Sequence, residues 1–278
     1  MDWLEDWKLP IGRWAQGLVD WLTANLSWFF DGLSAVLETV IAGLLWVLQA
    51  PPALVVIALV TALSWYLRRS WAFSLFTALG LLLIVNQGYW EETTETLALV
   101  LASSAVCMGV GVPIGIAAAR RPWLFAALRP ILDLMQTIPT FVYLIPALVL
   151  FGLGMVPGLI ATVIFAIPAP IRLTHLGISS TPLALKEAGL AFGATRSQLL
   201  WKVELPYALP QIMAGLTQTI MLSLSMVVIA ALVGADGLGV PTLRALNQVN
   251  IAKGFEVGIA IVLIAIILDR LFRAEKRR

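Results

Sequence analysis

Long uncharged stretches divide this chain. They run over 39–67, 70–90, 96–119, 134–171 and 205–235. A helix needs about 20 apolar residues to cross the hydrocarbon core of a bilayer. Each stretch is long enough for one crossing, and 134–171 is long enough for two. Gly152, Gly154, Pro157 and Gly158 supply a turn in its middle. The pattern predicts spans at 52–67, 71–88, 95–118, 131–151, 157–173, 210–233 and 254–272. The last carries Glu256 and Asp269, both of which belong near the interfaces. The expected fold class is an all-α polytopic membrane protein with these seven spans.

The first fifty residues follow a different pattern. Residues 1–31 carry five acidic and two basic side chains. Asp31, Ser34, Glu38, Ala42 and Gln49 fall near one helical face, and Leu33, Leu37, Val40, Leu44 and Val47 fill the other. This amphipathic spacing predicts a helix lying in the outer membrane interface. Trp3, Trp7, Trp14, Trp21, Trp28 and Trp46 suit the headgroup level. Pro51 and Pro52 then break the chain before the first span. A competing reading makes 33–49 an eighth span with an internal N-terminus. The domain plan is an amphipathic segment 1–50, two additional spans in 51–90, a core over 93–272 and a basic tail 273–278.

Charge placement orients these elements. Lys and Arg gather on the cytoplasmic side of membrane proteins. Arg68, Arg69, Arg120, Arg121, Arg129, Arg172, Lys186, Arg196, Lys202, Arg270, Arg273, Lys276, Arg277 and Arg278 fall on one side, fourteen of the eighteen. The opposite loops hold Glu91, Glu92, Glu95 and Asp236, with Arg244 and Lys253. The loop near 190 and the C-terminus are therefore expected inside.

Composition agrees: 60% of residues are hydrophobic and 12% charged, about half the charged share of soluble domains. Cys107 is the only cysteine, so no intrachain disulfide forms, and its apolar segment implies a packed side chain. His175 is the only histidine, which does not make a metal site. The acidic N-terminus carries no signal-peptide pattern. Helix breakers concentrate in the core: Pro113 among Gly109, Gly111 and Gly115, then Pro130, Pro139, Pro146, Pro168 and Pro170. Backbone groups freed by such breaks must face protein or a cavity. Gly111 and Gly115 have the spacing for close helix packing. In QTIPTFVYLIP, Gln136, Thr137, Pro139 and Thr140 place polar groups beside a break. These residues are candidates for pore lining, with interhelical hydrogen bonding as the alternative. Asp133 is spaced to pair with Arg129.

The segment 187–206, EAGLAFGATRSQLLWKVELP, puts charge between two apolar stretches. Thr181 and Pro182 predict a helix start, Gly193 a left-handed helix end, and Thr195 with Gln198 a capping box. Two short helices hinged at a glycine follow. The positions Glu187, Ala188, Gly193, Val203, Leu205 and Pro206 resemble the cytoplasmic coupling loop of type I ABC-transporter permeases. Gly189 stands where that family has a second Ala, and Val203 where Ile is common. The stretches DLMQTIPTFVYLIPALVLFGLGMVPG, KVELPYALPQIMAGLTQTIMLSLSMVVIAALVG and GADGLG are similar to permeases of glycine betaine, proline betaine and choline importers, and the whole chain is most similar to choline permeases.

That resemblance implies a type I ABC importer transmembrane fold in a bacterial inner membrane. It also implies a separate cytoplasmic ABC ATPase, a periplasmic substrate-binding protein whose aromatic cage holds the quaternary ammonium, and a permease homodimer. Membrane lipid surrounds the spans, and no nucleic acid is implied. No G-x-x-x-x-G-K-[S/T] loop occurs, and none of the five lysines follows a glycine. ATP-Mg is thus expected on the partner, with no cofactor or metal bound by this chain. A permease for another small solute such as an amino acid shares the coupling loop. An integral-membrane enzyme would need clustered His, Cys or carboxylates, and a channel would not need the 187–206 pattern.

Overall fold

A computed structural model describes residues 10–273. Trp3 and Trp7 of the expected aromatic belt, and Lys276, Arg277 and Arg278 of the expected tail, lie outside the described residues. All the regular structure described is helical.

The chain opens with α1 (Ile11–Gln49), whose one non-helical residue is Leu26. Pro51 and Pro52 end it. Next come α2 (Ala53–Arg68) and α3 (Trp71–Asn86), joined by Arg69 at φ +47° and Ser70, whose side chain caps α3. Ser64 and Ser74 join the pair through a buried 3.2 Å hydrogen bond. The core follows: α4 (Trp90–Arg120), α5 (Pro122–Thr137), α6 (Thr140–Phe151), α7 (Met155–Ala166) and α8 (Pro168–Ser179). After the charged loop come α11 (Leu205–Ala230), a short α12 (Gly239–Asn247) and α13 (Ile251–Phe272). The basic side chains of 68–69, 120–121, 180–204 and 270–273 lie at one end, called the basic end below. Trp90, Phe151 and α12 lie at the other.

Small residues set the centre of the bundle, where α4, α8 and α11 pack together. A Cβ at Gly111 would lie 2.9 Å from Pro170 Cγ, and one at Gly115 would lie 2.7 Å from the Ile171 carbonyl oxygen. On the next face of α8, a Cβ at Gly177 would lie 2.9 Å from Gln211 Cβ. Without a hydrophobic drive between helices in lipid, such close approach supplies the packing. Ser103 donates to Ser223 at 3.1 Å between α4 and α11, where both are fully buried. Cys107 is a free, buried thiol.

Several sequence expectations shift. The span expected at 131–151 is two helices, α5 and α6, that meet at 96°. Ile138 precedes Pro139 and takes an extended conformation (φ −64°, ψ 132°), because a residue before proline is driven from the helical region. Tyr143 repairs the break with its single hydroxyl hydrogen, shared between the carbonyl oxygens of Met135 and Ile138. The span expected at 157–173 runs on to Ser179, since Ile167 stays helical between α7 and α8. Helix α12 lies where a loop was expected.

By length and composition, five helices or continuous helix pairs among the described residues can cross a membrane, or six with the bent α5–α6 pair. Helices α2 and α3 have 16 residues each. Helix α1 is longer than the expected 33–49. Of the apolar face read from the sequence, Leu37 buries against the core with Leu33 and Leu44 packed beside it, and Val40 and Val47 are exposed; Ile41 is buried as well. Phe30 meets the Phe151 ring edge-on at 5.5 Å, and Gln49 donates to Thr94 at 2.8 Å. Phe151 closes α6 and Thr94 lies near the start of α4, so both contacts fall at the end opposite the basic one.

Candidate functional site: the charged loop between α8 and α11

Two short helices form the loop, α9 (Leu183–Ala191) and α10 (Arg196–Leu199). Thr181 does not cap α9, as its position had suggested. Pro182 occupies the cap, and the Thr181 hydroxyl is buried without a hydrogen-bond partner. Pro182 extends the chain at ψ 136°, which moves the helix start one residue beyond the reach of Thr181. At the other end Gly193 has φ +77°. Its N–H donates to the Leu190 carbonyl at 2.9 Å, and the Ala194 N–H donates to the Gly189 carbonyl at 3.0 Å. A left-handed residue at this point satisfies the last carbonyls of α9. Thr195 and Gln198 form the reciprocal capping box, with contacts of 2.9 and 3.3 Å. Leu205 and Pro206 start α11, which continues the helical turn before it, with Glu204 at φ −70° and ψ −47°.

One feature was not expected. Leu200–Glu204 is a π-helical turn, a form that often marks functional sites. It presses Leu199 and Val203 toward α9. A Cβ at Gly189 would lie 2.8 Å from Leu199 Cδ1 and 3.7 Å from Val203 Cγ2. Glycine in place of alanine therefore lets α10 close on α9. Glu187 and Ala188 stand exposed on α9, Gly189, Val203 and Leu205 are half-buried, and Gly193 and Pro206 are exposed.

Sequence reasoning missed two members of this site. Glu204 is only 7% exposed. Its carboxylate lies 3.6 Å from Arg120 at the end of α4 and 3.5 Å from Lys186 on α9. The Arg120 guanidinium also donates to the Arg196 carbonyl at 2.8 Å. The available signal was a lone acid directly before Leu205-Pro206 at an apolar entry. Phe192, beside the hinge glycine, is 93% exposed.

The candidate pore residues lie at the α5–α6 bend. Gln136 and Thr140 are half-buried, and Thr137 and Pro139 are exposed. Thr137 donates to the Leu134 carbonyl at 3.3 Å. Asp133 pairs with Arg172 of α8 at 2.6 Å, not with the expected Arg129. Asp133 reaches across to α8 instead of along its own helix. His175 stacks on Phe125 with ring centroids 3.6 Å apart. At the opposite end Glu91, Glu92, Glu95, Asp236 and Arg244 gather around a cavity of about 180 Å³. Among the described residues no group of three or more His, Cys, Asp or Glu is placed to hold a metal.

Residues 111–278 match the family described as "Binding-protein-dependent transport system inner membrane component". The chain is 47% identical over 264 residues to the glycine betaine transport system permease protein OpuAB of Bacillus subtilis, covering 95% of this chain and 93% of that one. It is 45% identical over 273 residues to the glycine betaine/carnitine transport permease protein GbuB of Listeria monocytogenes, covering 97% and 96%. A solved structure of the MetNI methionine ABC transporter, in an inward facing conformation, aligns with TM-score 0.61 at 26% identity, over 68% of this chain and 96% of that one. The family match covers the loop and every span after it, the relatives extend over almost the whole chain, and the fold agrees. The chain belongs to the inner-membrane permease components of binding-protein-dependent ABC importers.

Proposed function

We propose that this chain forms half of the translocation path of an importer for quaternary ammonium solutes, with glycine betaine or choline as the cargo. The similarity to OpuAB over 95% of the chain carries this reading. A second copy supplies the other half, because a type I importer works with two cores. A cytoplasmic ATPase provides the energy and a binding protein delivers the solute on the far side.

The 187–206 loop is the coupling element in this reading. The exposed Glu187, Ala188 and Phe192 meet the ATPase, while Gly189, Gly193, Val203, Leu205 and Pro206 shape the knob. The basic end of the bundle is cytoplasmic, in line with its Lys and Arg. Helix α1 lies along the outer interface over its second half, since Phe30 and Gln49 both contact the outer end of the core. With α2, α3 and the bent α5–α6 pair as spans, seven crossings follow. Gln136, Thr137, Pro139 and Thr140 line the path at the bend.

A second reading, import of an amino acid, draws on the shared fold with the methionine transporter. Uptake of radiolabelled glycine betaine, choline and methionine separates the two in cells expressing this chain, its ATPase and its binding protein. Uptake of a quaternary ammonium compound alone supports the proposal. Methionine uptake with neither of the others overturns it.

A further inference from the structure

Helix α9 buries none of its residues. It rests on α10 and on the π turn, with Gly189 against Leu199 and Val203. Besides its short backbone connection to α8 through Ser180, Thr181 and Pro182, it is tied to the membrane part by the backbone through the Gly193 hinge and by the carboxylate of Glu204. The first is open to solvent, with nothing within 4 Å of a Cβ built at Gly193. The second is set more deeply.

Glu204 closes the π turn where the chain enters α11. Its two oxygens face different elements, Lys186 on α9 at 3.5 Å and Arg120 at the end of α4 at 3.6 Å. Arg120 also holds the Arg196 carbonyl of α10. Glu204 is the only acid among Arg120, Arg121, Leu190, Arg196 and Leu199, which line an adjoining cavity of about 420 Å³. Without its charge, that corner holds cations alone and they repel. Helix α4 continues from Arg120 along Gly115 and Gly111, the sites of closest contact with α8.

We propose that Glu204 is a positioning residue that latches α9 to the inner end of α4, so that movement of α9 reaches the α4–α8–α11 bundle. The π turn beside it supplies the give, because its extra residue can rejoin the α-helical ladder as the latch moves. This inference rests on the coupling reading above. It adds one buried carboxylate as a path of force beside the backbone connections of α9.

The test uses the complete transporter, this chain with its ATPase and binding protein, in proteoliposomes. Glu204→Gln keeps the size and removes the charge. The measured quantity is solute transported per ATP hydrolysed, together with recovery of the ATPase subunit on pull-down. The latch predicts unchanged recovery and continuing hydrolysis, with transport per ATP down about tenfold, within the usual range of coupling between linked sites. Lys186→Gln, at a more accessible partner, should lower the ratio in the same direction but less. If recovery, hydrolysis and transport all fall in parallel, Glu204 is only a structural pair. If the ratio is unchanged, there is no latch. Should Glu204→Gln fail to assemble, the ratio for Lys186→Gln decides alone. Failure of the coupling reading itself looks different: Phe192→Ala would then leave ATPase recovery at the wild-type level.

Discussion

Gly193 offers the sharpest test of the loop, because its requirement is conformational and not spatial. Its φ is +77° and nothing lies within 4 Å of a Cβ built there. A larger side chain therefore meets no clash. The cost comes from the left-handed backbone, about 1–2 kcal/mol for an ordinary residue and toward the upper end for a β-branched one. Two hydrogen bonds that close α9, Gly193 N–H to Leu190 and Ala194 N–H to Gly189, depend on the same geometry. A penalty of about 2 kcal/mol changes the ratio of folded to distorted loop by roughly 30-fold, at 1.4 kcal/mol per factor of ten. The spans are untouched, since Gly193 is exposed and outside the buried clusters.

The series Gly193→Asn, Gly193→Ala and Gly193→Val then grades one variable. Asn tolerates the left-handed region best among side-chain-bearing residues, so it should retain most uptake. Ala should be intermediate, and Val should lose uptake and ATPase recovery together. Membrane insertion, read from yield and gel-filtration profile, should be the same in all three. Radiolabelled solute uptake and ATPase pull-down supply the ranking. A series in which Asn is as damaging as Val would show that size, not backbone sign, governs the position. Wild-type transport in the Val variant would remove the hinge argument altogether.

Three further outcomes follow from the same structure. Gly115→Leu drives a side chain into the Ile171 carbonyl, 2.7 Å from the Cβ position, and should destabilise the bundle by about 1–3 kcal/mol; an unchanged thermal midpoint in detergent would contradict the packing. A cysteine introduced at 92 in a Cys107→Ala background should label with an impermeant thiol reagent in spheroplasts, and one at 190 should not; the reverse pattern would invert the topology. The purified chain alone should hydrolyse no ATP above background, given the absent phosphate loop; robust hydrolysis by a preparation free of other subunits would refute energy supply in trans.

The long core helices were legible because length and charge act locally. A stretch such as 96–119 declares its helix without reference to any partner, and α4 covers it. The bends were not legible to the same degree. Pro139 marked a break, but its 96° angle depends on Tyr143 reaching back to two carbonyl groups and on Asp133 finding Arg172 across the bundle. Those are tertiary contacts, and an i,i+4 rule sees only Arg129. In helix α1 the apolar face was readable, but which of its residues pack, as Leu37 does, and which stay exposed, as Val40 and Val47 do, is chosen by the bundle.

The loop divides along the same principle. The capping box and the left-handed glycine are written in residues at most five positions apart, and both were readable from spacing. The carboxylate of Glu204 gathers charges from residues 120 and 186, which lie 84 and 18 positions away. In sequence it is one acid in a charged loop; in the fold it is the point where three elements meet. Glu187 sits on a helix that buries none of its residues, and the exposed Phe192 follows that helix directly. The exposed acid and the bared ring beside the hinge are features that the proposed ATPase contact would explain, and the buried Glu204 behind them is the proposed connection of that contact to the membrane spans.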